Sequence, residues 1–303
     1  LANIDIADTR RRVAAHLVGR ERELELTLAA VAAGRDIILE GPPGTSKTTM
    51  LKAITDEWGI PLLFVEGNAD LTPAKLVGHH NPARVLKEDY NSENFVAGPL
   101  IEAMQEGGFL YIEEFNRAPE DTLNTLLTAM ADRSISVPRV GVIQAQPTFR
   151  VIASMNPYDN VGTTRLSTSV TDRLNRLAVD YQDAPSEESI VTLRTHAEGA
   201  LQGRMVRDAV AVTRATRDHE DIRQGSSVRG AIDSVLVAIQ LAELRGLTDE
   251  LDAGYAELFY DAMVVALSGR IHLDEAAETT PEHVLREIWE DHFILQPAVA
   301  EPG

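Results

Sequence analysis

The most constraining stretch of the chain is Gly41-Pro42-Pro43-Gly44-Thr45-Ser46-Lys47-Thr48. It directly follows a short apolar run, Asp36 to Glu40, that reads as a buried strand, and it opens a segment from Lys47 to Trp58 with helical spacing. A glycine-bounded loop between a strand and a helix aims backbone N–H groups and the positive end of the helix at one point, which suits an anion. The pattern G-x-x-x-x-G-K-[ST] predicts that Lys47 reaches terminal phosphates and that the Thr48 hydroxyl binds Mg²⁺. The expected nucleotide-binding residues are Gly41, Pro42, Pro43, Gly44, Thr45, Ser46, Lys47, Thr48 and Thr49. One position departs from the pattern. Ser46 stands where a second glycine is usual, and serine takes many but not all glycine conformations.

A second motif supplies the acids that such a loop needs. Gly107-Gly108-Phe109-Leu110-Tyr111-Ile112-Glu113-Glu114 is an apolar strand tipped by two carboxylates. With that strand beside the phosphate loop, Glu113 is expected to help hold Mg²⁺ and Glu114 to orient and deprotonate the attacking water. The usual first acid is Asp. The extra methylene of Glu113 can be absorbed by a water-mediated metal contact. After the pair, Phe115-Asn116-Arg117-Ala118-Pro119 leads into a helix whose Leu123, Leu126, Leu127 and Met130 form a buried stripe.

Further apolar runs at Pro61–Val65, Phe149–Ala153 and Arg176–Val179 alternate with helical segments, which predicts an α/β fold with a parallel sheet covered on both faces. After about Ala184 the pattern turns helical, with segments near 186–198, 203–218, 227–245, 251–268 and 280–290. The expected organisation is a nucleotide-binding α/β domain over 1–183 and a small all-helical domain over 184–303. Residues 82–97 and 135–146 read either as β-hairpins or as plain surface loops.

Composition narrows the function. Lys and Arg total 28 against 47 Asp and Glu, a formal charge of −19, so the average field repels nucleic acid. No run approaches the roughly eighteen apolar residues of a membrane span. Leu1 to Arg12 has no apolar core like that of a secretory signal. The chain has no cysteine, which excludes disulfides and suits a cytoplasmic protein. His79-His80 and the scattered His272, His283 and His292 lack zinc-ligand spacing. No guanine-reading Asn/Thr-Lys-x-Asp motif occurs, which favours ATP over GTP.

Several ordered motifs resemble one family. Val18-Gly19-Arg20-Glu21, the phosphate loop, Gly98-Pro99-Leu100, Glu114-Phe115-Asn116-Arg117-Ala118-Pro119, Phe149 through Pro157, Gly162-Thr163 and Asp172-Arg173 look like the MoxR branch of AAA+ ATPases, near the magnesium-chelatase I-subunit and the CbbQ/NorQ activators. The resemblance runs from Val18 to about Arg229. It implies a P-loop AAA+ sheet followed by a helical lid, and ATP with Mg²⁺ as cofactors. It implies sensor roles for Asn156 at the nucleotide and Arg229 in the lid. It makes Arg173 an arginine finger acting on a neighbouring subunit, with Arg165 as a rival. It further implies a ring of identical subunits, usually hexameric, a von Willebrand A-domain partner and a client protein or metalloenzyme, with hairpins that project toward other chains. A protein remodeller is the first expectation. An ATP-binding switch with little turnover and a nucleic-acid motor are the alternatives.

Overall fold

The computed structural model describes residues 5–81, 94–157 and 166–295. They divide into two compact units: Leu1–Pro42 with Ser46–Asp180, and Pro43–Thr45 with Tyr181–Gly303.

The first unit begins with α1 (Ile6–Ala14) and α2 (Glu21–Ala32), followed by β1 (Ile37–Glu40), α3 (Lys47–Trp58) and β2 (Leu62–Glu66). Two short strands, β3 (Gly78–His80) and β4 (Phe95–Ala97), precede the helix Pro99–Glu106 and β5 (Phe109–Glu113). After the helix Glu120–Asp132 come β6 (Ser134–Val137), β7 (Gly141–Gln144), β8 (Arg150–Met155), the helix Thr168–Arg173 and β9 (Asn175–Ala178). Five of these strands form one sheet in the order β2-β5-β8-β1-β9, every pairing parallel. All five coincide with the apolar runs of the sequence. The acid-tipped strand, however, does not lie against β1. β8 separates them, so two strand spacings, about 10 Å, lie between β1 and β5.

Because successive residues of a strand face opposite sides of its sheet, each central strand feeds two cores. Ile38, Leu110, Ile112, Val151 and Ala153 pack into one, with Leu100, Ile101, Leu123 and Leu126 from the helices Pro99–Glu106 and Glu120–Asp132. Ile37, Leu39, Phe109, Tyr111 and Ile152 pack into the other, against Leu24, Leu28, Met50, Leu51 and Ile54 of α2 and α3. This two-sided burial explains why β5 and β8 read as unbroken apolar runs. The charged-looking N-terminal segment also has a place in the fold. In α1 the buried Thr9 and Val13 face α3, and Trp58 Nε1 donates to Thr9 Oγ1 at 3.0 Å.

Of the two expected hairpins, 135–146 is formed: β6 and β7 pair antiparallel across a turn with Arg139 at φ 62°. In the other, residues 82–93 lie outside the described residues. Phe95–Ala97 pairs with Gly78–His80, upstream of the expected hairpin.

The second unit carries helices at Ala184–Thr195, Gly199–Asp218, Val228–Arg245, Tyr255–Leu267 and Pro281–Glu290. They close around Val210, Val235, Leu258, Phe259, Met263 and Trp289. The expectation of an all-helical unit needs one correction. β10 (Ile222–Gln224) and β11 (His272–Leu273) form a small antiparallel ladder, too short to register as period-two alternation. Among the described residues no helix is long and apolar enough to cross a membrane.

Arg150, 5% exposed at the start of β8, ties the sheet to α2 by donating to Val31 O at 3.1 Å and Pro147 O at 2.8 Å. Replacement by Leu strands the buried Val31 carbonyl and removes the bond to Pro147. Arg150→Leu is expected to lower the unfolding free energy by about 2–4 kcal/mol, measured by chemical denaturation.

Candidate functional site

In a parallel sheet all carboxyl ends of the strands reach the same edge, and the sequence-predicted residues gather along it. β1 ends at Glu40 and passes directly into Gly41, whose N–H donates to Met155 O at 3.0 Å. A Cβ at Gly41 would sit 1.8 Å from Val179 O, so only glycine lets the loop leave β1 this close to β9. Lys47 is buried, and its ammonium donates to Gly41 O at 3.0 Å and Pro42 O at 2.8 Å. These bonds hold the cation at the root of the loop. Ser46 adopts the left-handed region, φ 64° and ψ 18°, so the chain passes through the glycine-like conformation with a Cβ attached.

On β5, Glu113 pairs in register with Glu66 of β2. Glu114 follows in the left-handed region at φ 53° and starts a single 3₁₀ turn, Phe115–Arg117, with Arg117 N donating to Glu114 O at 2.8 Å. The path is fixed by its neighbour: a Cβ on Gly67 would lie 2.3 Å from Glu114 O, and Gly67 N donates to Glu113 O at 2.7 Å. The Glu114 carboxylate pairs with Arg117 Nη1 at 3.1 Å, both side chains being partly exposed. Asn156 is half-buried just past the end of β8. It therefore lies on the strand between the loop and the two acids.

Sequence reasoning missed two hydroxyl groups that join these parts. Tyr111 is fully buried, with its OH 3.3 Å from Thr48 Oγ1 and 3.0 Å from Ser154 Oγ. Burial pushes its ionisation up, against the hydrogen bonds it shares with Ser154 and Thr48, and the nearby Glu113 carboxylate adds to the rise. The available signal was a tyrosine inside a buried strand, since a buried phenol requires a partner for its hydroxyl. Tyr111 and Glu113 are two residues apart on β5 and share the α3 side of the sheet. Thr48 and Glu113 thus offer hard oxygen donors from neighbouring elements. This donor set fits Mg²⁺, which binds few protein groups and keeps phosphate oxygens and waters as its other ligands. Beside Thr48 and Thr49, a cavity of about 550 Å³ opens between α1 and α3, lined also by Arg12, Val13, His16 and Lys52.

One expected residue is not gathered at this edge. Arg173 is exposed at the end of the helix Thr168–Arg173, its Nη1 donating to Ser169 O at 3.0 Å. It precedes Asn175, which pairs with Ile37 at the start of β1. The length of β1, about 13 Å, separates that level from the phosphate loop. Arg229, exposed in the first turn of the helix Val228–Arg245, has its N–H 3.4 Å from Ser227 Oγ, and both residues stand against Gly44 of the phosphate loop, where a Cβ would lie 2.4 Å from Ser227 Oγ and 3.7 Å from Arg229 Cγ. Arg165 and Gly162-Thr163 lie outside the described residues.

The chain is similar to several known proteins. Residues 36–174 match the AAA domain family of the dynein-related subfamily. The chain is 28% identical over 297 residues to the gas vesicle ATPase GvpN of Ancylobacter aquaticus, covering 91% of this chain and 79% of that protein. It is 30% identical over 221 residues to an uncharacterized protein of Staphylococcus aureus strain USA300, covering 72% and 77%. Among solved structures, the RuvB Holliday junction branch migration motor of Thermotoga maritima superposes with a TM-score of 0.52 at 18% identity, covering 82% of this chain and 70% of that one. At that identity the likeness speaks for the fold alone.

The left-handed Ser46 yields a stability test. Ser46→Gly is expected to raise the stability of the nucleotide-free protein by about 1 kcal/mol, and Ser46→Val to lower it by more than that. Thermal unfolding measures both.

Proposed function

Because the chain belongs to the MoxR-type AAA+ ATPases, we propose that it hydrolyses Mg-ATP within a ring of identical subunits and uses the turnover to remodel or activate a client protein. The observation that carries this reading is the single edge on which Lys47, Thr48, Glu113, Glu114 and Asn156 converge. Lys47 and the loop N–H groups bind the β- and γ-phosphates. Mg²⁺, held by Thr48 and Glu113 together with phosphate oxygens, supplies charge neutralisation when bound. Glu114 takes the proton of the attacking water, and Asn156, whose amide can donate to phosphate and accept from water, orients it. The cavity beside Thr49 has room for the adenosine end. The helical residues 184–303 act as a lid that carries Arg229 to the nucleotide.

Arg173 completes the site in trans. It lies more than a strand's length from its own loop, so the phosphate it serves belongs to a neighbouring subunit. A site shared in this way requires assembly, and the family points to six copies. A von Willebrand A-domain protein is the proposed partner and a metalloenzyme the proposed kind of client, in the cytoplasm where ATP is maintained. The formal charge of −19 weighs against nucleic acid as the object acted on. A second reading, an ATP-binding switch with little turnover, draws on the Glu114–Arg117 ion pair, which occupies the proposed base. Absence of measurable hydrolysis by the assembled wild-type protein would decide for the switch.

Glu114→Gln is expected to keep ATP binding and to lose about 10²–10⁴-fold in kcat, as measured by phosphate release. Wild-type turnover in that variant removes Glu114 from the role. Arg173→Ala alone is expected to be inactive, whereas mixing it with Glu114→Gln subunits regenerates intact sites and restores part of the rate. Full hydrolysis by dilute single copies excludes the shared site.

A further inference from the structure

Three hydroxyl groups, on three different elements, stand in one line beneath the phosphate loop. Thr48 Oγ1 in the first turn of α3 is 3.3 Å from Tyr111 OH on β5, and that oxygen is 3.0 Å from Ser154 Oγ on β8. Tyr111 and Ser154 are 0% and 1% exposed. The alternation of each strand places all three groups on one side of the sheet, because Phe109 and Tyr111 share the α3-side core with Ile152, two residues before Ser154. A phenylalanine ring at position 111 would keep the edge-on packing against Phe64, so the phenol oxygen is not required to fill the core.

Hydrogen-bond accounting indicates what it does. Each hydroxyl has one proton to donate and two lone pairs. A threonine oxygen that ligates a cation must direct a lone pair at the metal, and its proton must then go elsewhere. Tyr111 OH is the acceptor within reach, and it passes its own proton on to Ser154 Oγ.

We propose that Tyr111 is a positioning residue for the divalent cation. Its hydroxyl, backed by Ser154, locks the Thr48 rotor so that Oγ1 presents a lone pair to Mg²⁺. The inference rests on the reading of Thr48 as a metal ligand and adds the groups that orient it. It also couples the phosphate-loop helix to the strand that ends in Asn156, since Ser154 precedes that residue by two positions.

The test uses the full chain and a fluorescent ATP analogue, N-methylanthraniloyl-ATP, titrated with Mg²⁺ or with EDTA present. Tyr111→Phe keeps the ring and removes one oxygen. The Mg²⁺ concentration that half-saturates the gain in analogue affinity is expected to rise about 10-fold, with affinity in EDTA and the thermal midpoint unchanged. Ser154→Ala is expected to shift it in the same direction by less, and the double variant to fall short of the sum. Thr48→Ala separates the two levels of the argument. A rise in Thr48→Ala with none in Tyr111→Phe overturns the positioning role and leaves the ligand role standing. No rise in either removes Thr48 as a ligand. Where Tyr111→Phe lowers the thermal midpoint, Ser154→Ala carries the test, and an unshifted Mg²⁺ half-saturation in that variant overturns the proposal.

Discussion

Parallel pairing is the constraint from which the rest of the site follows. When every strand of the sheet runs the same way, all its carboxyl ends arrive at one edge, and whatever follows each strand is delivered there. A loop with a lysine, a pair of glutamates and an asparagine are far apart in sequence, yet each needs only to come directly after its own strand. The pleat then decides the side. Residues of one parity face α2 and α3, those of the other face the helices Pro99–Glu106 and Glu120–Asp132, and a one-residue slip of β5 would exchange Tyr111 and Glu113 for Ile112 and Glu114.

Within that frame the site is held by backbone contacts as much as by side chains. Gly41 and Gly67 are places where a carbonyl oxygen occupies the space a Cβ would need. One sets how the phosphate loop leaves its strand and the other sets where Glu114 turns. Ser46 and Glu114 both stand in the left-handed region, which side chains tolerate only when surrounding contacts determine it. Such conformations in the phosphate loop and at the end of β5 suit a site that must hold its geometry before its ligand arrives.

Much of this was legible in the residues. The five sheet strands announce themselves as apolar runs, and the loop and acidic pair fall where their motifs put them, after β1 and at the end of β5. Strand order was not legible. The acid-tipped strand is expected beside the phosphate loop, but that β8 would stand between β5 and β1 is encoded by nothing local in Phe149–Ala153. The N-terminal helix escaped notice because its buried face consists of Thr9 and Val13, too few apolar groups for a periodic signal. The β10–β11 ladder joins residues some fifty positions apart through two or three residues each, a pairing determined by tertiary packing alone. Tyr111 was visible as a letter but read as one more hydrophobe, since its partners Thr48 and Ser154 are brought to it only by the completed sheet.

The displacement of Arg173 from its own phosphate loop gives the molecule a direction. Under the proposed shared site, one end of the sheet would ask for a guanidinium and the other would offer one, so two copies would meet head to tail rather than by self-matching of one patch. Such contacts never terminate by themselves. An array built this way would stop growing only when the last copy reached the first, and until then one terminal loop would stand without its complement. Closure would therefore be felt chemically as well as mechanically, because a gap anywhere in the circle leaves one bound triphosphate without its cross-subunit cation.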